Sequence, residues 1–319
     1  MFARSRRDGT GRRPCQSRRG LLALPLAVAL GLVGQACAST PDGAVPAETP
    51  ARTTFELVCR KPSGEPLTLL EVLRLDPVLR GRLGDDPRDA RVRITLDEDG
   101  QLPVVAPGVA SEAQALALRP RLQRPGHLLF TPVAHAGSPG WDPRAERARL
   151  ESWWEDQAAP TLEAFNALAR DAGGPPPAVR WLAPHDIEPT DPQVVRLALP
   201  CGRMEVVYPE RDWVFTASDL DKVYRTQDMQ GWAAVGFEIR PERQEDFTRF
   251  TEAYVDEQIA IVLDGAVLSA PVVNTPLTGP SIIQGRFTDT EVDEMVWTLR
   301  GGALPVPLEL VEVRRVTDG

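Results

Sequence analysis

Apolar residues alternate with polar ones, or recur at helical spacing, through much of the first half of the chain after residue 52. Alternating runs rich in strand formers predict strands, and leucines three or four residues apart predict a helix. In order, the pattern predicts a strand over 53–59, a helix over 67–83 interrupted at Pro77, a hairpin over 91–106, a helix over 111–119 and a strand over 126–133. We expect these elements to form one small mixed sheet.

The pattern is sharpest in the last third of the chain. A helix beginning at Pro241 carries Phe247, Phe250 and Tyr254 on one side, which predicts a buried face. Two apolar runs flank Asp264-Gly265, a dipeptide that favours a type I′ hairpin turn because both of its positions need positive φ. The remaining predicted elements are strands over 231–240, 281–287 and 307–314 and a helix over 288–300.

The segment 137–205 has the weakest pattern. In order, it contains helical sequence over 142–170 broken at Pro160, a Gly/Pro break over 173–177 and a polar loop over 183–193. We expect the pair Trp153-Trp154 to pack in a core rather than to form a ligand box. Together the predicted elements indicate an α+β fold with small mixed or antiparallel sheets and helices on one face.

The amino terminus reads as an export signal. An arginine-rich stretch over 1–19 precedes an apolar run of about 14 residues over 21–34, which is too short to cross a bilayer core of about 30 Å. A short buried helix is the alternative, but the basic start and the Pro/Ala-rich linker that follows favour a leader. Residues 17–22 (SRRGLL) resemble a twin-arginine signal, although arginine pairs also occur in ordinary leaders, so both export routes remain open.

Cys37 is the candidate lipid attachment site. The sequence Gly34-Gln35-Ala36-Cys37 resembles a bacterial lipoprotein cleavage site, in which the cysteine becomes the lipidated first residue. Ordinary cleavage within Ala36-Cys37-Ala38 is the alternative, because these residues also satisfy the A-x-A rule. Residues 38–52 are small, polar and proline-rich, and we expect them to form a flexible tether. Either membrane of the envelope could hold such an anchor.

The charge distribution argues against nucleic-acid binding. The net charge of the chain is -9, but residues 1–36 contain seven arginines and one acidic residue, Asp8. The remainder is therefore strongly acidic, and it would repel phosphate backbones and bare anionic lipid. A cationic or largely neutral polypeptide is the easier partner for such a surface.

Two cysteines remain beyond the leader and the candidate lipidation site. Cys59 and Cys201 would lie in an oxidising compartment, where a disulfide persists. A bridge between Cys59 and Cys201 and two buried free thiols are both compatible with the sequence.

Motifs that would indicate an enzyme are not apparent. His127, His135 and His185 lack the spacing of metal ligands, and the chain has no G-x-S-x-G, Walker A or G-x-G-x-x-G sequence. Asp264 occupies a predicted turn, so a structural role outweighs a role in acid–base chemistry. We therefore expect a protein that is not an enzyme and that needs no cofactor or metal.

The run 260–271 (AIVLDGAVLSAP) resembles a hairpin in the periplasmic head of SecD, a subunit of the preprotein translocase. In that family the hairpin precedes a Gly-containing strand, an acid-rich helix and a "GALP.PL" sequence. Residues 283–288 (IQGRFT), Glu291 and 302–308 (GALPVPL) follow here in the same order. A fainter likeness to the base of the same domain lies at 105–109 (VAPGV).

The resemblance implies a base and a head subdomain, known in SecDF as the P1 domain. The implied organisation is a signal peptide over 1–36, a tether over 37–52, a base-like region over 53–136, an insertion over 137–205, a head-like subdomain over 206–306 and a strand over 307–319 that returns to the base. SecD has one membrane helix before this domain and five after it, where this sequence ends. We therefore expect a stand-alone, lipid-anchored form that does not couple export to proton flow.

From the resemblance we expect partners among emerging or unfolded polypeptides, preproteins and Sec translocon subunits. The family-motif hairpin is the expected contact; its candidate residues are Leu263, Asp264, Gly265, Val267, Ser269 and Pro271. A sheet edge can accept an extended chain by strand addition, which supplies a physical basis for this function. The alternative is a structural or protein-interaction module of the envelope that kept the fold and not the translocase role.

Overall fold

Short strands and helices alternate along the chain, as the hydrophobic pattern predicts. The computed structural model describes residues 53–84, 91–136, 142–171, 179–188, 190–202 and 213–317, which all belong to one compact unit. The predicted leader, the candidate lipidation site Cys37 and the predicted tether lie outside the described residues.

The strands are β1 (Thr53–Arg60), β2 (Arg93–Ile94), β3 (Leu102–Val105), β4 (Leu128–Pro132), β5 (Val179–Leu182), β6 (Leu199–Gly202), β7 (Leu220–Gln227), β8 (Ala233–Ile239), β9 (Ile259–Leu263), β10 (Ala266–Ser269), β11 (Ser281–Ile283) and β12 (Glu309–Thr317). The helices are α1 (Leu69–Leu83), α2 (Glu112–Ala117), α3 (Arg119–Gln123), α4 (Pro143–Glu155), α5 (Leu162–Asp171), α6 (Val194–Leu197), α7 (Pro241–Ala253) and α8 (Asp289–Gly301).

The first part, here called the base, is a four-stranded antiparallel sheet in the order β12-β1-β3-β2, with α1, α2 and α3. Helix α1 begins with a capping box, in which Thr68 and Glu71 each accept a bond from the other's backbone N–H. The predicted interruption at Pro77 is wrong, because α1 continues through it. The carbonyl of Leu73, which loses its helical bond to Pro77, belongs to a residue that is 63% exposed, where water can reach it.

The second part, here called the head, contains two antiparallel sheets in the orders β10-β9-β4 and β11-β8-β7, together with α7 and α8. Its core holds the side chains predicted to form the buried face of α7, namely Phe247, Phe250 and Tyr254. Aromatic rings pack edge to face there, with ring centroids 5.0 Å apart for Phe215 and Phe247.

Strand β4 corrects the expectation of one small sheet in the first half of the chain. It pairs with β9 of the head, with Leu128 opposite Leu263 and Pro132 opposite Ile259. The side chains of Leu128 and Phe130 lie in the head core, so this apolar strand is buried against α7 rather than against α1. Local pattern identified the strand, but a partner about 130 residues away decides its sheet.

The third part, here called the middle region, comprises residues 142–202. It has its own small core, which includes Leu150, Phe165, Trp181 and Val194. The tryptophan pair packs against this core, and the rings of Trp153 and Phe165 have centroids 5.3 Å apart. The hydrophobic pattern does not predict β5, β6 and α6, because each is only four residues long.

A buried arginine joins the base to the head. The guanidinium of Arg82, on α1, donates hydrogen bonds to the backbone carbonyls of the two segments that connect base and head: Arg121, Arg124, Pro125 and Gly302. Burial lowers the pKa of Arg82 to about 10. Four carbonyl acceptors therefore compensate this charge, and the negative charge of Asp264 also favours it.

Helices α1 and α8 approach closely at the same junction. A Cβ added to Gly81 would lie 2.9 Å from the Cα of Gly301, a distance that ordinary side chains do not adopt. The two glycines therefore permit the contact between the helices.

Candidate polypeptide-binding site

The family-motif hairpin has the predicted turn. Asp264 and Gly265 have φ values of 53° and 84°, as a type I′ turn requires. The carboxylate of Asp264 accepts a hydrogen bond from the backbone N–H of His127 at 2.8 Å, and the Asp264 N–H donates to the His127 carbonyl at 3.0 Å. Asp264 thus attaches the hairpin tip to the segment that enters the head, which is a structural role.

The outer edge of β10 is already paired. The Val267 N–H donates to the carbonyl of Ala183 at 2.8 Å, and the N–H of His185 donates to the Val267 carbonyl at 2.9 Å. Segment 183–185 of the middle region therefore lies beside β10 as an added strand would. Val267, a candidate contact residue, is only 4% exposed.

Strands from the head and the middle region close into a ring. Strand β6 pairs with β5 and is bridged to the end of β4 between Cys201 and Val133, while 183–185, directly after β5, pairs with β10. We call this arrangement of β10, β9, β4, β6, β5 and 183–185 the strand ring. It surrounds a small apolar core that includes Val262, Val267 and Cys201.

The other candidate residues of the motif differ in exposure. Leu263 is buried in the head core, whereas Asp264 and Gly265 are exposed at the tip. Ser269 and Pro271 are half-buried, and both line a cavity beside the turn that joins β7 to β8. The structure therefore does not bring these residues together on one open edge.

The other head sheet ends in two different edges. On one side, the side chains of Arg240 and Arg300 donate to the β7 carbonyls of Leu220 and Val223, at 3.2 and 2.8 Å. On the other side is β11, which ends the sheet order among the described strands. Its backbone edge is the one in the head that the described residues leave available for strand addition.

An apolar groove runs beside β11. Its cavity has a volume of about 460 Å³, and no charged side chain contributes to its wall. Aromatic and aliphatic side chains dominate the wall, which is formed by Phe130, Phe237, Phe247, Thr251, Ile259, Ile261, Pro271, Val272, Val273, Asn274, Thr275, Leu277, Pro280, Ser281 and Ile282. We call this the β11 groove.

Large apolar side chains are exposed at the β11 groove and in the turn that joins β7 to β8. Val272 and Ile282 are 49% and 38% exposed at the groove, and Met229 and Trp232 are 93% and 62% exposed in the turn between β7 and β8. The carboxylate of Asp228 accepts bonds from two N–H groups of that turn, which fixes its shape. The hydrophobic pattern does not distinguish these residues from core residues, because the exposure of an apolar side chain depends on the tertiary structure.

Cys59 and Cys201 are free, buried thiols in the structure. Cys59 lies in the base core and Cys201 in the core of the strand ring, so the two side chains belong to separate clusters. Burial raises the pKa of each thiol to about 12.

The described titratable groups do not assemble a metal site. Within residues 53–317, leaving out the undescribed segments, no three His, Cys, Asp or Glu side chains are placed to hold an ion. His135 pairs with Glu257 at 3.1 Å, and the ring of His185 packs on Phe287 with centroids 5.2 Å apart.

None of the helices of the described residues reaches both the length and the hydrophobicity of a membrane span.

Comparison with known proteins supports the resemblance. Residues 197–306 match the model of the SecDF P1 head subdomain. The protein translocase subunit SecD of Dictyoglomus turgidum is 40% identical over 104 residues, covering 32% of this chain and 26% of that protein. SecD of Elusimicrobium minutum is 28% identical over 246 residues, covering 77% of this chain and 46% of that protein.

A solved structure extends the likeness over the fold. A crystal structure of SecDF in a super-membrane-facing form has a TM-score of 0.50 and 25% identity, and it covers 82% of this chain and 30% of that chain. The chain thus spans less than half the length of these relatives. The expected α+β fold with small antiparallel sheets is confirmed. This chain carries a SecD-like periplasmic domain, and its P1-head-like subdomain includes residues 197–306.

Proposed function

We propose that this protein is exported to the cell envelope and binds extended polypeptide along the β11 groove, in support of protein translocation. The observation that carries the proposal is an available strand edge directly beside an uncharged apolar groove. Main-chain hydrogen bonds along a strand edge give affinity for any extended chain, and the groove accepts apolar side chains from alternate positions.

The other strand edges of the head are already occupied, which favours β11 as the binding edge. Segment 183–185 pairs with β10, and arginine side chains hold carbonyls of β7. Strand β4 is approached by Phe215, whose carbonyl accepts from the N–H of Phe130 at 3.3 Å. Among the described head strands, β11 is thus the edge where an added chain finds both donors and acceptors.

The base offers a longer edge of a different character. Strand β12 is outermost in its sheet and carries exposed charges at Glu312 and Arg315, with Arg314 beside them. Charged side chains on an edge strand oppose pairing with another chain. We therefore place the polypeptide site at β11 and use β12 as the matched control.

The test is fluorescence anisotropy with a labelled peptide in which isoleucine and threonine alternate, which is uncharged and favours an extended conformation. We expect Ile282→Asp to weaken binding about tenfold, equivalent to about 1.4 kcal/mol, because it places a charge at the apolar groove. Val311→Asp on β12 is the control, since Val311 is 39% exposed and Ile282 is 38% exposed. Loss of binding in the Val311 variant alone would move the site to the base.

A second candidate function is an envelope interaction module without a translocase role. The described residues between 142 and 196 carry a core of their own, and they lie outside the residues that match the head model. A photo-crosslinker at Ile282 in cells distinguishes the two functions. Capture of exported chains or translocon subunits supports translocation, whereas capture of other envelope proteins alone supports the module.

Lipid anchoring at Cys37 belongs to the same proposal. The residues that support it are the lipoprotein-like sequence 34–37 and the proline-rich stretch after it. We expect Cys37→Ala to release the protein from the membrane fraction. Mass spectrometry should find acyl groups on the mature amino terminus of the wild-type protein and none on that of the variant. An unmodified Cys37 in the wild-type protein would disprove the anchor.

A further inference from the structure

The edge of the head sheet opposite β11 faces a second cavity. A cleft of about 950 Å³ lies between α1 of the base and β7 of the head. Pro77 and Val78 form part of one wall, and Leu220, Val223 and Tyr224 form part of the other. The cleft is therefore bounded by two different parts of the fold, and each wall includes apolar side chains.

Two arginines fix the chemistry of this cleft. The Nε atoms of Arg240 and Arg300 donate to the carbonyls of Leu220 and Val223, and both side chains line the cleft. These bonds occupy backbone acceptors of β7, so the edge is poorly suited to strand addition, which needs donors and acceptors in alternation. The remaining guanidinium nitrogens are donors.

Among the described residues, neither guanidinium is paired with a carboxylate, and the guanidinium of Arg300 also lies over the ring of Trp297, 5.5 Å from its centroid. In the part of the chain that the structure describes, no carboxylate lies within 4.0 Å of Arg240 or Arg300. Lys222 also lines the cleft but is paired with Glu238 at 2.9 Å. Asp221 is the acidic residue on the wall, so the cleft retains a net positive charge in a chain whose net charge is -9.

We propose that this cleft binds an extended acidic segment of polypeptide that carries carboxylates at alternate positions. The two arginines are anchored at carbonyls three residues apart on one strand. In a regular strand these carbonyls would lie about 10 Å apart, at a rise of about 3.3 Å per residue, and the bulge between Leu220 and Lys222 brings them closer together. Carboxylates on alternate residues of an extended chain lie about 7 Å apart, so one can face each guanidinium. Arginine is the residue best suited to bind carboxylate in this way.

The cleft is separate from the β11 groove. It would bind acidic side chains, whereas the β11 groove would bind apolar ones. A single phosphate headgroup would engage one arginine and leave the other without a partner, so the pair favours a peptide over a lipid. The apolar walls from α1 and β7 would contact the backbone and the intervening side chains.

The experiment measures anisotropy of a labelled Gly/Ser peptide with glutamates at two alternate positions, titrated with the mature protein. We expect the same peptide with glutamines to bind at least tenfold more weakly, and the affinity of the acidic peptide to fall as salt rises. Arg240→Met and Arg300→Met should each weaken the acidic peptide about tenfold and leave the glutamine peptide unchanged. Asp221→Asn should strengthen the acidic peptide several-fold, because it removes the opposing charge.

The controls separate this site from general charge effects and from the β11 groove. Arg249→Met removes an exposed arginine on α7 that pairs with Glu245, and we expect no change in binding. Ile282→Asp should also have no effect on the acidic peptide. Equal binding of both peptides, unchanged binding in both cleft variants, or displacement of the acidic peptide by phosphatidylglycerol vesicles would overturn the proposal.

Discussion

Strands β10 and β11 are both outermost in a three-stranded sheet of the head, but only β10 is covered. Its neighbour is segment 183–185, which lies before the stretch that matches the head of the SecD relatives. The corresponding side of β11 is bordered by the β11 groove. A segment that precedes the head match thus closes one edge, and it leaves the other as the place where a further strand can be added.

The two edges also differ in what their side chains contribute to stability. Val267 in β10 is 4% exposed and belongs to the core of the strand ring, whereas Ile282 in β11 is 38% exposed. Burial of a whole aliphatic side chain stabilises a protein by about 1.5–3 kcal/mol, and a charge in the same place destabilises it further. Equivalent substitutions on the two strands should therefore have very different effects.

The largest expected effect is on the stability of the covered edge. Val267→Asp should lower the free energy of unfolding by about 3–5 kcal/mol, because it buries an unpaired carboxylate in the strand ring. Ile282→Asp should lower it by less than about 1 kcal/mol, since its side chain reaches solvent. Urea unfolding followed by circular dichroism measures both values.

Alanine substitutions at the same two positions allow the unfolding free energies to be compared even if Val267→Asp does not fold. Val267→Ala should cost about 2 kcal/mol through the loss of two buried methyl groups, and Ile282→Ala should cost clearly less. Similar values for the two alanine variants would show that segment 183–185 does not cover β10 in solution. The closed edge and the open edge would then be the same kind of surface.

The features that sequence predicts best are those set by neighbouring residues. The turn at Asp264-Gly265 follows from two adjacent residues that tolerate positive φ. The buried face of α7 follows from the spacing of Phe247, Phe250 and Tyr254, and the resemblance to the SecD head rests on linked motifs in the same stretch. None of these features depends on contacts with distant parts of the chain.

The features that sequence missed are set by distant residues. Segment 183–185 reads as a polar loop, and only its pairing with Val267, more than eighty residues later, makes it a cover for β10. Strand β7 escaped recognition because its exposed side is charged, and the β11 groove forms only when β9 and β11 meet. Edge coverage is a tertiary property, so hydrophobic periodicity cannot reveal it.

The two cysteines report on the base and the strand ring separately. Burial raises the pKa of both Cys59 and Cys201 to about 12, so each thiol is almost wholly protonated at neutral pH and should react slowly. In the unfolded chain both thiols would ionise with a pKa near 9.0. Their stabilising contribution is therefore complete below about pH 9 and is lost as the pH rises from there towards 12.

The smallest expected effect is an increase in local opening of the strand ring, which is measured by the rate at which a thiol reagent labels Cys201. His185→Pro removes the N–H that donates to the Val267 carbonyl at 2.9 Å, whereas His185→Ala keeps it and removes only the ring contact with Phe287. Loss of one such bond costs about 1 kcal/mol, so labelling of Cys201 by a thiol reagent at pH 8 should be about fivefold faster in the proline variant. Cys59 should keep its labelling rate in both variants, because it lies in the base core and not in the strand ring.

Equal acceleration of labelling at Cys59 and Cys201 would mean that the strand ring opens only when the whole domain unfolds. An absence of reactive thiols in the denatured, unreduced protein would mean instead that the two cysteines are bridged in solution.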